Sequence, residues 1–239
     1  MPQVQEGQGL PPGRRPRVTS LARAGHLEYD RVLFFSDAVF AIAITLLVVN
    51  LHVGPARAGK AIESGAELRA AVPSLIGFGI SFAVIGLFWL GHHTVYRYVT
   101  ALDRRLILLN LVFLGTIAFL PYPTELLSLT HDQAPAIILY AACCSAAGLT
   151  EAAVWVYATH TAGLADGVPP RFRRYFLLQT LRIPAVFLLS IPVALFSPSA
   201  AMYLWILIWF ARLALSRFYP MGDAGISDTE AIADTEASG

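Results

Sequence analysis

The run from Arg31 to Asn50, RVLFFSDAVFAIAITLLVVN, limits the folds open to this chain more than any other stretch. Read as a helix, it is about 20 residues and about 30 Å long, matching the hydrocarbon core of a bilayer. Its first two turns nevertheless carry Arg31, Ser36 and Asp37. A carboxylate near membrane depth is costly unless it is paired or faces water, so this end of the run is expected to be a functional or structure-locking site. Further along, Ala38, Ile42, Thr45 and Val49 recur at i, i+4, i+7 and i+11 and share one narrow stripe of the helix. Small or branched side chains with a single hydroxyl suit the lining of a narrow path as well as contact with lipid or another helix.

The rest of the sequence extends the membrane reading. Hydrophobic residues make up 56% of the chain, charged residues 14%, and the mean hydropathy is +0.60. An ordinary soluble domain is about a quarter charged. The expectation is an all-α polytopic membrane protein with six transmembrane helices. After the first run, the spans are read at about 68–98, from just after Arg105 to about Leu120, at about 134–157, from just after Arg174 to about Phe196, and at about 200–216. Pro121 and Pro123 are taken to end the third, and Pro184 and Pro192 to bend the fifth. Residues 1–28 read as a disordered arm, 29–219 as the six-helix domain, and 220–239 as a disordered acidic tail. The first apolar run is too long and too polar at its start for a signal peptide, so it is expected to stay as an anchor.

Basic residues cluster at one set of ends: Arg14, Arg15, Arg17, Arg23 and Arg31 before the first span, Arg97, Arg104 and Arg105 between the second and third, and Arg171, Arg173 and Arg174 before the fifth. Both termini are therefore expected on the cytoplasmic side. A net charge of +1 gives no basic surface for nucleic acid. Cys143 and Cys144 are adjacent in an apolar segment and read as small packing residues, not as a disulfide or a zinc site.

Three groups of polar residues stand out against this apolar background. Ser36 and Asp37 suit the hub of a buried network, with Trp89, His92 and His93 on the second span and Asn110 on the third as partners at matching depth; the alternative is bland anchoring. His92 and His93 point about 100° apart on a helix, which argues against a shared metal ion. Glu151 in the fourth span and Arg182 in the fifth read as a structural pair, or else as the substrate site of a secondary transporter. No G-x-S-x-G, H-E-x-x-H or P-loop is present, so no enzyme activity is expected.

Arg31, Phe35, Ser36 and Asp37 also fit the pattern R-x-x-x-F-S-D, followed by AVFAIAITLLVV, and later by WLGHH (89–93), Asn110 and PYPTEL (121–126). In these motifs the first half of the chain resembles the transmembrane protein 175 family of potassium-permeable channels. The resemblance implies a pore lined by the first helix of each subunit, including Ala38, with Ile42 as its apolar constriction, Thr45 as the next layer and Val49 as a wider one. It implies that the Arg31–Asp37 motif braces this helix without touching the ion. It also implies a homotetramer in membrane lipid, with potassium as permeant and no cofactor or metal, in a prokaryotic cell membrane. Proton-permeable behaviour occurs in the same family and is a rival within the channel reading.

Overall fold

The computed structural model describes residues 18–49, 65–130, 133–161, 164–165 and 167–206. All regular structure among them is helical: α1 (Val18–Val49), α2 (Gly65–Tyr98), α3 (Arg104–Phe119), α4 (Pro121–Thr130), α5 (Ala134–His160), α6 (Pro170–Phe196) and α7 (Pro198–Leu204). Five segments are long and apolar enough to cross a bilayer: Leu27–Val49, Ser74–Tyr98, Arg104–Thr130, Ala134–His160 and Pro170–Phe196. The chain is an all-α, multi-pass membrane protein. α7 opens the expected sixth span, and the remainder of that span, the acidic tail and the N-terminal arm up to residue 17 lie outside the described residues.

Two boundaries differ from expectation. α1 begins at Val18, inside the segment read as a disordered arm. The third span does not end at its prolines but continues to Thr130. Leu120 keeps helical geometry and turns its N–H to Ile117 O, and the ordinary pattern resumes with Thr124 N–H to Leu120 O at 3.2 Å. Pro121 and Pro123 therefore occupy the first turn of α4, where the amide they lack has no intrahelical acceptor. α6 likewise stays helical through Pro184 and Pro192.

Local chemistry fixes the other helix ends. Asp103 caps α3 with a 2.7 Å hydrogen bond from the Leu106 amide, and its second oxygen accepts from the Tyr157 hydroxyl at 2.5 Å. Those donors, the tyrosine foremost, hold the Asp103 carboxyl below the usual carboxylate range. Prolines open α5, α6 and α7 within their first two positions.

α5 and α6 form the most intimate pair. A Cβ on Gly148 would lie 2.5 Å from Pro184 Cδ, so only glycine permits this approach. The Trp155 indole donates to Arg173 O at 3.1 Å, and Arg173 Nη1 donates to Thr159 O at 3.0 Å, which sets the two helices antiparallel. The main core gathers Phe40, Ile85, Phe88, Phe113, Tyr140 and Phe187. A second cluster around Tyr96, Leu106, Trp155 and Phe176 closes the end where α2 and α5 finish. Cys144 is buried in the main core and Cys143 half-buried beside it, both as free thiols.

Burial is unevenly shared. The most apolar window of the α5 span is 56% buried, whereas that of α1 is 22% buried despite its higher mean hydropathy of 2.6.

Candidate functional site

One face of α1 is held tightly by the rest of the bundle. Ser36, Phe40, Ala43 and Leu47, at i, i+4, i+7 and i+11, are all buried. The hydroxyl of Ser36 donates to Val32 O at 2.8 Å and accepts from Asn110 Nδ2 at 3.0 Å. With its nitrogen so engaged, Asn110 turns its carbonyl oxygen to His92 Nε2, 3.0 Å away. An amide oxygen can only accept, so the proton of His92 sits on Nε2. Three helices are thereby joined by one buried string of hydrogen bonds.

Aromatic rings enclose this string. The His92 ring stacks on Phe113 (centroids 5.7 Å apart, 12° between planes) and lies 5.6 Å from Phe40 and 4.5 Å from Tyr96. The Tyr29 hydroxyl donates to Tyr96 O, a further tie between α1 and α2. Phe40 follows Ser36 by four residues and Phe113 follows Asn110 by three, so helical spacing alone placed these rings beside the polar atoms. Sequence reasoning missed them because aromatic residues in a membrane helix carry no signal of their own.

A second, exposed contact runs alongside. Trp89 Nε1 donates to Asp37 Oδ1 at 2.9 Å, and the His93 ring stacks on Trp89 at 5.7 Å. Of the residues expected to form the network, Ser36, Asp37, Trp89, His92 and Asn110 are joined by hydrogen bonds, and His93 joins by stacking. Arg31 and Phe35 are exposed, Phe35 by 53%, and take no part in this string.

Ala38, Ile42, Thr45 and Val49 lie two residues on from the buried stripe, about 200° around the helix. All four are exposed, Ile42 by 59% and Val49 by 76%. Thr45 donates its hydroxyl proton to Ile42 O at 2.9 Å, which leaves the oxygen lone pairs directed outward. Among the described residues no hydrogen bond ties this face of α1 to another helix.

The expected pairing of Glu151 with Arg182 does not involve Glu151 Oε1. Glu151 Oε1 is buried without a hydrogen-bond partner, and Arg182 Nη1 donates to Gln179 Oε1 at 2.6 Å, three residues back on its own helix. Both side chains line one cavity between α2, α5 and α6. Among the described residues no group of three or more His, Cys, Asp or Glu could hold a metal ion.

Comparison with known proteins agrees with this architecture. The family described as "Endosomal/lysosomal potassium channel TMEM175" matches residues 31–121, which contain every residue of the hydrogen-bonded string. A protein of Streptomyces collinus named a potassium channel is 40% identical over 143 residues, covering 58% of this chain and 68% of the relative. The chicken protein named "Endosomal/lysosomal proton channel TMEM175" is 32% identical over 145 residues, 55% of this chain and 28% of that longer one. The crystal structure of a lysosomal potassium-selective channel TMEM175 homologue from Chamaesiphon minutus superposes with a TM-score of 0.67 and 27% identity, over 79% of this chain and 98% of the other. The family is one of ion channels and not of enzymes, in line with the sequence reading. This chain belongs to the TMEM175 family.

Proposed function

We propose that the protein is a potassium-permeable channel whose pore is lined by α1 of each subunit, with Ile42 as the apolar constriction, Thr45 as the next layer, and Ala38 and Val49 flanking them. The observation that carries this reading is the two-sidedness of α1. One face is bolted to α2 and α3 by buried polar bonds, while the opposite face leaves Ile42, Thr45 and Val49 exposed. Lipid contact alone would give no reason to fix the azimuth of a helix so closely. One helix cannot enclose a pore, so several copies must meet around an axis. Four is the number that the family resemblance implies, in a prokaryotic cell membrane, and the basic residues gathered at one set of helix ends favour cytoplasmic termini. The Streptomyces and Chamaesiphon relatives bear potassium-channel names, which favours potassium as the permeant.

A passing ion loses part of its water shell at Ile42 and recovers oxygen contacts from the lone pairs of Thr45. The test is cation flux into proteoliposomes under potassium and then sodium gradients, for wild type and Ile42→Asn. Wild type should pass potassium in preference to sodium, and the variant, whose ring of amides is wettable, should conduct more and discriminate less. Unchanged flux and selectivity in Ile42→Asn would place the narrow point elsewhere. The vertebrate relatives, named proton channels, support a second reading in which protons permeate. A pH-sensitive dye inside the same vesicles distinguishes the two.

A further inference from the structure

Where α5 finishes and α6 begins, a partly open cavity of about 210 Å³ lies between the two helices. Three basic side chains line it: His160 from the last turn of α5, and Arg173 and Arg174 from near the start of α6. Arg173 is half-buried and held in place, because its Nη1 donates to Thr159 O at 3.0 Å and its own carbonyl accepts from the Trp155 indole at 3.1 Å. Its other guanidinium N–H groups, the whole guanidinium of Arg174 and the His160 ring have no hydrogen-bond or ion-pair partner among the described residues. No acidic side chain is among the lining residues. The rest of the wall is largely apolar, with Val156 and Leu177 about one and two turns inside the spans Ala134–His160 and Pro170–Phe196. The cavity thus joins a basic mouth at the span ends to an apolar floor at membrane depth.

We propose that this cavity binds a phosphate ester that carries no cation of its own, with the phosphate on Arg173, Arg174 and His160 and the carbon chain against Val156 and Leu177. Consecutive residues of a helix point about 100° apart, so the two guanidinium groups reach one ligand from different directions. A tetrahedral phosphate offers oxygens to both, whereas a planar carboxylate is matched by a single guanidinium fork. His160 adds a donor from the other helix, since an imidazole keeps at least one N–H in either charge state. A metal ion finds no carboxylate here and two guanidinium charges against it. A choline head would bring a further cation to a wall with no anion to receive it. Basic pockets between membrane helices hold anionic lipid heads by this chemistry. The same group comes from two sources, an anionic phospholipid of the surrounding leaflet or a soluble glycerol phosphate. The site is separate from the outward face of α1, and its occupancy is measured without reference to ion conduction.

The experiment titrates the purified protein in mild detergent with dihexanoyl-phosphatidylglycerol, glycerol 3-phosphate and dihexanoyl-phosphatidylcholine, followed by calorimetry. Wild type should bind phosphatidylglycerol saturably, and the choline lipid at least about tenfold more weakly. Arg174 is exposed and holds no bond within the fold, so Arg174→Gln should assemble normally and weaken binding by at least about tenfold. Arg104→Gln removes an exposed charge at the start of α3, at the same end of the bundle but outside the cavity, and should leave the affinity within about twofold. Val156→Trp fills the cavity from its apolar side and should abolish lipid binding with every basic group intact. Binding of the lipid alone assigns the site to the leaflet, and binding of glycerol phosphate assigns it to the soluble ester. No binding of either, equal affinity for the choline lipid, or undiminished lipid binding in Arg174→Gln or Val156→Trp would overturn the proposal. So would an equal loss in Arg104→Gln, which would show a diffuse field in place of a site.

Discussion

Asn110 uses both ends of its amide inside the bundle, giving a proton to Ser36 and accepting one from His92. Replacing it with leucine keeps the volume but leaves two buried polar groups without partners, so Asn110→Leu should destabilise the fold by about 1–3 kcal/mol for each group orphaned. Trp89→Phe removes only the exposed bond to Asp37 and should lower stability by about 0.5–1.5 kcal/mol. Thermal midpoints in lipid nanodiscs rank the two, and a neutral Asn110→Leu would show that the string does not hold α1. Asp103 makes a different prediction, because its carboxyl is held below the usual range in the folded protein. Its contribution is present above the unfolded carboxylate value of about 3.9 and is lost as pH falls through the lower folded value. Stability of wild type should therefore decline on acidification below about pH 4, and Asp103→Asn should show a shallower decline. Parallel slopes for both proteins would remove Asp103 as a source of acid sensitivity.

At the scale of helices, the close approach of α5 and α6 rests on Gly148 against the Pro184 ring. Gly148→Ala alone should cost about 1–3 kcal/mol through overpacking, and Pro184→Ala in the same chain should restore part of the loss. Additive losses in the double variant would mean that the two residues do not share this contact. The helices themselves were legible because apolar length is a direct requirement of the bilayer. The third span was misjudged because a proline was taken as a stop, whereas Pro121 and Pro123 stand in a first turn that tolerates them. The polar string was legible for the opposite reason: Ser36, His92 and Asn110 are conspicuous in apolar surroundings. What spacing along the chain did not contain was direction around each helix. That is why Arg31 and Phe35, both exposed, were expected among its members.

For the whole molecule, an apolar α1 that its own subunit covers so little has to be covered by lipid or by other copies. Native mass spectrometry in mild detergent should find four chains, as proposed. A monomer that still conducts would remove the central pore. The string from His92 has a further consequence for protons. Each hydrogen in it points the same way, from imidazole to amide to hydroxyl, and the last rests on the backbone oxygen of Val32. A peptide carbonyl accepts a hydrogen bond but has no proton of its own to hand on, and an amide NH₂ does not exchange roles with its oxygen without turning over. The string is therefore a dead end for charge. However close His92 stands to α1, the string behind that helix gives a proton no route across the membrane.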